Sequence, residues 1–321
     1  MAIIAGIDEA GYGPVIGPLV VSASVFHLPD ALAGRDMWRL LAGAVSRKAV
    51  RGSPSVPVAD SKTLHVRRDG CLHLERGVLA MLAELGRPPR SLRELLDLIA
   101  PGALRQLQEY PWYAGRDLPL PRQADPKDLA LRANGLSVAF DRRGIVLEAI
   151  RAEVVPVGTY NRLTVATRNK SVTLFSIASR LIAQVFQEWA ATEETRILVD
   201  RQGGRMRYRA HLQRMFEGAG IRILEESAGR SAYQIRQGNR QAEIAFLTDG
   251  EDKALPVALA SMVSKYLREL LMELLNTWWA RHVPSLKPTA GYYRDGRRFL
   301  RDISPALEAL GVDTSLLVRS R

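Results

Sequence analysis

Residues 3–14 read Ile3-Ile4-Ala5-Gly6-Ile7-Asp8-Glu9-Ala10-Gly11-Tyr12-Gly13-Pro14. The apolar run predicts a buried strand, which ends at two adjacent carboxylates and a glycine-rich turn. Burying a charged group is costly unless the charge is paired or binds a metal. Asp8 is therefore expected to begin a metal site, although an acid at this position is equally typical of a turn or a helix cap.

The glycines after this strand raise another interpretation, a dinucleotide-binding turn at Gly11, Gly13 and Gly17. That motif requires a helix directly after the glycines. Here Pro14 follows the second glycine, and the β-branched run over 19–26 predicts another strand. The pattern favours a strand, a tight glycine turn and an antiparallel strand, so we reject the dinucleotide-binding fold.

The composition indicates a globular protein with an anionic partner. The chain has 321 residues, of which 47% are hydrophobic, so it can bury a substantial core. Its formal net charge of +11 favours nucleic acid as the partner. No apolar run is long enough to span a membrane, and the N-terminus lacks a signal-like segment. Because Cys71 is the single cysteine, no intrachain disulfide is possible. We expect a cytoplasmic monomer.

Periodicity and turn residues predict the order of the later elements. A proline-rich segment, from about 86 to 143, predicts an insertion of short helices. The other predictions are helices over 30–50 and 72–85, a strand over 145–157, a helix over 172–189, a strand over 197–199, a helix over 207–217, a strand over 221–224, a hairpin over 231–247 and a long helix over 256–280.

Two basic side chains have open roles. Lys62 follows Asp60-Ser61, which can cap a helix, and its own ammonium can reach a phosphate. Arg205 belongs to an arginine-dense segment after residue 200. That segment can be a solvated basic face, or it can contact phosphate.

Three predicted strands end in acidic residues: Asp8-Glu9, Asp200, and the group Asp249, Glu251 and Asp252. A mixed sheet can bring such strand ends together. Four crowded carboxylates cannot all stay ionised without cations. Oxygen ligands suit Mg²⁺ or Mn²⁺, and two such ions about 4 Å apart form the clamp used in attack on a phosphodiester. A basic protein with this centre fits hydrolysis of a nucleic-acid backbone.

Five motifs spread along the chain occur in the same order as in a known family. They are Gly6–Pro14 with Gly17-Pro18-Leu19-Val20, then Asp60-Ser61-Lys62, then Val199-Asp200, then Asp252–Pro256 with Ala260-Ser261 and Lys265, and finally Gly291-Tyr292. Together they resemble the ribonuclease HII family. The resemblance covers most of the chain outside about 86–143.

The resemblance implies an α/β fold of the ribonuclease H-like type, with a mixed five-stranded sheet flanked by helices. It implies a catalytic core over 1–275, which includes the insertion, and a helical C-terminal region over 276–321 that contributes to substrate binding. It also implies a two-metal endonuclease that uses Mg²⁺ or Mn²⁺. Such an enzyme cuts the RNA strand of RNA·DNA hybrids, or cuts at ribonucleotides embedded in duplex DNA.

Roles for individual residues follow from the same resemblance. Four acids would be the catalytic metal ligands: Asp8, Glu9, Asp200 and Asp252. Gly11 and Gly13 would bring backbone amides to the ribose 2′-OH. Tyr292 would stack on a sugar, and Lys62 and Lys265 would lie near phosphates.

The chain departs from the family pattern at two points. Tyr12 stands where the family usually has arginine, which removes a charge near the scissile phosphate. Two alternatives therefore stay open, a diverged nuclease with another nucleic-acid substrate and a non-catalytic nucleic-acid-binding protein. The spacing to the last acid also differs: counting back from Ser261 gives Glu251, whereas counting back from Pro256 gives Asp252, which we prefer.

Overall fold

The computed structural model describes residues 1–50, 52–65, 68–86 and 88–320. Its strands are β1 (Ala2–Ala10), β2 (Leu19–Leu28), β3 (Val45–Ser46), β4 (Val56–Pro57), β5 (Val146–Val155), β6 (Glu194–Asp200), β7 (Gly220–Glu226), β8 (Arg230–Gln237) and β9 (Arg240–Leu247). Its α-helices are α1 (Met37–Leu40), α2 (Ser61–Leu64), α3 (Leu72–Ala83), α4 (Leu92–Ile99), α5 (Ala103–Leu107), α6 (Pro126–Arg143), α7 (Val157–Thr167), α8 (Lys170–Trp189), α9 (Arg209–Met215), α10 (Gly250–Lys253), α11 (Leu255–His282) and α12 (Tyr293–Ala309).

The main sheet is mixed and has the strand order β5-β2-β1-β6-β9-β8-β7. β1, β6 and β9 run parallel to one another, whereas β2 and β5 on one side and β8 and β7 on the other add antiparallel strands. The predicted mixed sheet flanked by helices is therefore confirmed. It has seven strands and not the five that the resemblance implied, because β8 and β7 extend the sheet beyond β9.

Helices cover both faces of the sheet. One core cluster contains the buried face of α11, and the other contains the apolar side of α8. At Gly6 in β1, a Cβ atom would collide with the backbone of Pro256 and Val257 at the start of α11. The glycine therefore allows the long helix to lie directly on the central strand.

The elements with strong periodicity are where the sequence predicted them, which includes β5, α8, α9, α11 and the hairpin of β8 and β9. The helix expected over 30–50 is wrong. That stretch contains a 3₁₀ turn at Asp30–Leu32, the short helix α1 and β3. Asp36 caps α1, and Gly43, with φ of 91°, turns the chain after it. Of the described helices, none has the length and apolar character needed to cross a bilayer.

The segment over 86–143 packs into the main core. It contains the short helices that were expected, α4 and α5, and in addition the 18-residue helix α6. Trp112 lies with its ring centroid 6.0 Å from that of Trp278 in α11. The expected boundary at 275/276 falls inside α11, and Phe299 of α12 belongs to the same core cluster. Arg87 in the insertion and the C-terminal Arg321 lie outside the described residues.

Candidate active site

Three parallel strands bring the acidic residues to one edge of the sheet. Ile7 of β1 is aligned with Val199 of β6, so Asp8 and Asp200 are the next residues of neighbouring strands. Asp200 is in turn aligned with Leu247, the last residue of β9. The chain after β9 turns through residues 248–249 into α10, which carries Glu251.

Asp8 is the most deeply buried of these acids, with 6% of its surface exposed. Its Oδ1 accepts a hydrogen bond from the backbone N–H of Glu9 at 2.6 Å, and its backbone carbonyl accepts one from Ser264 Oγ at 3.0 Å. Burial raises the pKa of Asp8 well above its usual value, and the neighbouring charges of Glu9 and Asp200 add to the rise. A hydrogen bond from Ser261 acts in the opposite direction.

Glu9 and Asp200 are perturbed in the same direction. Burial, followed by repulsion from Asp200 and Glu251, raises the pKa of Glu9 to about 8. Burial, followed by repulsion from Glu251, raises the pKa of Asp200 to about 7. The backbone N–H of Gly250 donates to Asp200 Oδ1 at 2.8 Å and opposes this rise. The carboxylates are thus close enough to repel one another, as the strand pattern predicted.

The fourth acid of the group is Glu251, and not the preferred Asp252. Glu251 Oε1 lies 3.5 Å from Lys62 Nζ, and Glu251 Oε2 is buried without a hydrogen-bond partner. The side chain of Asp252 is exposed, and its backbone carbonyl accepts a hydrogen bond from Arg47 Nη1 at 2.7 Å. Adjacent residues of a helix point in different directions. In α10 the side chain that interacts with Asp200 is that of Glu251.

These residues fit divalent cations of the hard, oxygen-preferring kind. Three carboxylates have pKa values raised by burial and mutual repulsion. The buried Oε2 of Glu251 has no hydrogen-bond donor, and a cation could take the place of that missing donor. Among the described residues, no three of the four acids bring oxygens within 4.8 Å of one another. Two ions, each held by a pair of these carboxylates, fit that spacing better than one ion held by three of them.

The glycine turn, residues 11–17, follows Asp8 and Glu9 directly. Gly11 has φ of 91°, a backbone conformation that L side chains rarely adopt. Gly13 is exposed, and a Cβ atom there would meet nothing within 4 Å. The side chain of Tyr12 is half-buried against the α8 side of the sheet, and burial raises the pKa of its hydroxyl. The charge of Glu9 adds to this rise, and that of Arg205 opposes it.

The expected substrate-binding side chains lie in different surroundings. Lys62 is at the acids, whereas Lys265 Nζ is paired with Glu269 Oε1 at 2.6 Å. Arg205 Nη2 donates to Ser171 Oγ at 2.5 Å, and its Nη1 is buried without a partner. Tyr292 is 55% exposed and immediately precedes α12. The roles of these residues stay predictions.

Some residues of this region carried no signal in the sequence. Ser264 lies under Asp8, and Gly250 positions Asp200 through its backbone N–H. Arg268 and Arg319 donate to carbonyls of the glycine turn. Backbone contacts of this kind depend on tertiary placement, and no local pattern indicates them.

A second cluster contains one histidine, one cysteine and one glutamate. His65, Cys71 and Glu269 bring ligand atoms within 4.8 Å of one another. The cluster already holds a cation, because the Lys265 ammonium is bonded to Glu269. Burial raises the pKa of the Cys71 thiol to about 12, so it is protonated at neutral pH. We assign no metal to this cluster.

Comparison with known proteins finds similarity in structure only. No protein-family model and no curated protein matches the chain. The chain is similar to ribonuclease HII of a PCNA complex from Archaeoglobus fulgidus (18% identity, 99% of this chain and 94% of that one, TM-score 0.45). It is also similar to ribonuclease H2 from Pyrococcus horikoshii OT3 (15% identity, 98% of this chain and 92% of that one, TM-score 0.42). A further similar structure is Bst ribonuclease HIII in complex with Mn²⁺ (14% identity, 99% of this chain and 66% of that one, TM-score 0.43).

The fold is α/β, with a mixed sheet flanked by helices, as the motifs implied. At identities of 18% or less and TM-scores below 0.5, the similarities assign neither a family nor a reaction to this chain.

Proposed function

We propose that the protein is a divalent-metal-dependent endonuclease of the ribonuclease HII type, which cuts the RNA strand of RNA·DNA hybrids or cuts at ribonucleotides embedded in duplex DNA. The observation that carries the proposal is the convergence of Asp8, Glu9, Asp200 and Glu251 at one sheet edge, where three of them have raised pKa values. A basic chain that only bound nucleic acid would gain nothing from acids that repel phosphate.

The four acids would hold two Mg²⁺ or Mn²⁺ ions. When bound, such ions lower the pKa of water and stabilise the leaving oxygen of a phosphodiester. The chain's own residues supply the rest of the site. Gly250 fixes the orientation of Asp200, and Ser261 favours the ionised form of Asp8. Lys62, with an exposed ammonium beside Glu251, is placed to contact a backbone phosphate.

The glycine turn would distinguish RNA from DNA. Gly13 is exposed and has no side chain, so its backbone can approach a sugar closely, and a 2′-OH is the group by which RNA is told from DNA. Tyr292 presents an exposed ring on which a sugar or base can stack. The substrate would be a nucleic-acid duplex, and the protein would act as a cytoplasmic monomer.

Cleavage of labelled duplexes tests this proposal. The substrates are a 5′-labelled RNA·DNA hybrid, a DNA duplex with one ribonucleotide and an all-DNA duplex, each with Mg²⁺ or Mn²⁺. We expect metal-dependent cuts in the first two and none in the third. If folded protein cuts neither ribonucleotide-containing substrate, the proposal fails.

One observation favours a second candidate, a nuclease with a different nucleic-acid substrate. Tyr12 provides no cation on the turn, and the guanidinium whose charge acts on its hydroxyl is that of Arg205. A panel with single-stranded and branched DNA tests this candidate. If Tyr12→Arg raises cleavage of the ribonucleotide-containing duplex and lowers no other activity, the second candidate is weakened.

A further inference from the structure

Two arginines are buried behind the glycine turn. Arg319 is 4% exposed, and its Nε and Nη2 donate to the carbonyl of Gly17 at 2.9 and 2.6 Å. Its Nη1 donates to the carbonyl of Gly11. One guanidinium therefore joins both ends of the turn, and its planar fork is suited to this geometry.

Arg268 of α11 contacts the same turn from another direction. It is 2% exposed, and its Nη2 donates at 3.1 Å to the carbonyls of Ile16 and Ala290. Its Nε is buried and has no hydrogen-bond partner. A Cβ atom at Gly11 would collide with the Arg268 side chain, so the turn lies directly against it.

The charge of this pair is only partly compensated: Glu269 attracts Arg268 without forming an ion pair with it, and the Tyr160 ring centroid lies 4.9 Å from Arg319 Cζ. Other buried charged groups of the described chain have charged or multiple partners: Arg132 Nε donates to Asp128 Oδ2 at 2.9 Å, and Glu75 accepts backbone N–H groups and the Tyr266 hydroxyl. Of the described carboxylates, none lies within 4.0 Å of Arg268 or Arg319. Unpaired buried charge is costly, so the arrangement requires a reason.

Both guanidiniums keep their charge at neutral pH. Burial, followed by repulsion from Arg268, lowers the pKa of Arg319 to about 9, still above neutrality. Burial also lowers the pKa of Arg268, and the charge of Glu269 opposes this change. Within the poorly screened interior, two such charges create a positive potential at the turn in front of them.

We propose that Arg268 and Arg319 form a cationic brace that holds the glycine turn in shape and gives it the positive charge with which it binds a phosphate of the nucleic-acid substrate. The inference rests on the proposed function for the location of the substrate. A polyanion on the turn neutralises the pair, which accounts for two buried cations that no carboxylate of the described residues contacts directly. Both residues are positioning residues, because neither side chain reaches the surface.

The brace has a consequence that simple structural support would not have. Loss of a buried cation weakens binding of a polyanion. The same loss leaves unchanged, or strengthens, binding of divalent cations by the neighbouring acids, because a repulsive charge is removed. General damage to the site would weaken both kinds of binding.

The test compares Arg319→Met, Arg319→Lys, Arg268→Lys and a matched buried control, Arg132→Met. Duplex binding is measured by fluorescence anisotropy with a labelled DNA duplex that contains one ribonucleotide, on protein that also carries Asp200→Asn so that the duplex stays intact. Mn²⁺ binding is measured by calorimetry on protein with Asp200 intact. Thermal melting checks that each variant is folded.

We expect Arg319→Met to weaken duplex binding by about tenfold or more, with Mn²⁺ affinity equal to or above that of the unmodified chain. Arg319→Lys and Arg268→Lys keep the charge and should lose less. Arg132→Met should lower the melting temperature and leave both affinities within about twofold. If Arg319→Met is unfolded, Arg268→Met is measured in its place, because the brace predicts weaker duplex binding without weaker Mn²⁺ binding when either cation is lost.

The inference is overturned if duplex and Mn²⁺ binding weaken in parallel, or if the methionine variants of Arg319 and Arg268 bind the duplex as tightly as Arg132→Met. Because binding is measured without cleavage, its outcome is separate from that of the proposed function. A protein that binds the duplex through the brace but never cuts it would contradict the nuclease assignment alone.

Discussion

Asp200 Oδ1 lies 2.8 Å from the backbone nitrogen of Gly250, and this hydrogen bond joins the end of β6 to the helical turn that carries Glu251. A Cβ atom at Gly250 would lie 3.2 Å from the same carboxylate oxygen. The contact brings the third acidic segment of the chain beside the second. The fourth carboxylate of the candidate site is therefore set by how α10 begins.

Adjacent acids of α10 offer a matched pair of variants. Glu251→Gln removes a carboxylate from the site and should lower kcat at least about 100-fold, because a bound ion contributes several kcal/mol of charge stabilisation. Asp252→Asn changes an exposed side chain and should leave kcat within about twofold. Cleavage assays with both variants check this. The reverse order of effects would restore Asp252 as the ligand.

Stability without metal should fall as pH rises. The folded-state pKa values of Asp200, about 7, and Glu9, about 8, lie above ordinary values, so the folded protein binds more protons than the unfolded chain between about pH 4 and 8. The free energy of unfolding therefore decreases over that range. Melting in EDTA at pH 5 and at pH 8.5 measures this change.

The same melting experiment has an internal control. Asp200→Asn removes one raised pKa, so it should raise the melting temperature at pH 8.5 and change it little at pH 5. Mn²⁺ at pH 8.5 should restore stability to the unmodified chain. A melting temperature that is independent of pH and of Asp200→Asn would contradict the crowding of these acids.

Gly6 is expected to tolerate substitution by alanine less well than the other glycines of the core. Gly6→Ala places a methyl group against the backbone of Pro256 and Val257, so either β1 or α11 must move, at a cost of about 3 kcal/mol or more. Gly34→Ala is a suitable control, since a Cβ atom there meets nothing within 4 Å. Chemical denaturation measures both. Equal stability of the two variants would contradict the close approach of helix and sheet.

Variants of the neighbouring Tyr292 and Tyr293 distinguish stacking on the substrate from the general loss of an exposed aromatic ring. Tyr292→Ala should weaken substrate binding by about tenfold, because stacking on an aromatic ring contributes about 1–3 kcal/mol, and Tyr292→Phe should retain it. Tyr293→Ala removes the next exposed ring, which lies against Arg297, and should have little effect. KM values for the ribonucleotide-containing duplex provide the measurement. Similar losses in both alanine variants would remove the special role of Tyr292.

The central sheet and its acidic edge were predictable because local pattern and topology agree there. An apolar strand that ends in a carboxylate is visible in the sequence at both Asp8 and Asp200, and parallel neighbours place such ends together. The long helix over 256–280 was equally predictable from the sequence. Its small residues also indicated close packing, and in the structure the helix begins directly against β1.

Other features depended on contacts that sequence patterns do not encode. The choice between Glu251 and Asp252 turns on the rotation of a single helical turn, which a spacing rule cannot resolve. The mixed apolar and basic stretch over 30–50 resembled a helix, but Gly43 and the cap at Asp36 divide it. Arg319 is distant in sequence from the turn it contacts, so no local signal connects them.

Calorimetric titration with Mn²⁺ tests the central claim most directly. We expect the unmodified chain to bind Mn²⁺, Asp8→Asn and Asp200→Asn to lose that binding, and Glu269→Gln, in the separate histidine–cysteine cluster, to retain it. Absence of binding by the unmodified chain, or loss of binding only in Glu269→Gln, would contradict a metal centre formed by the acids at the ends of β1 and β6.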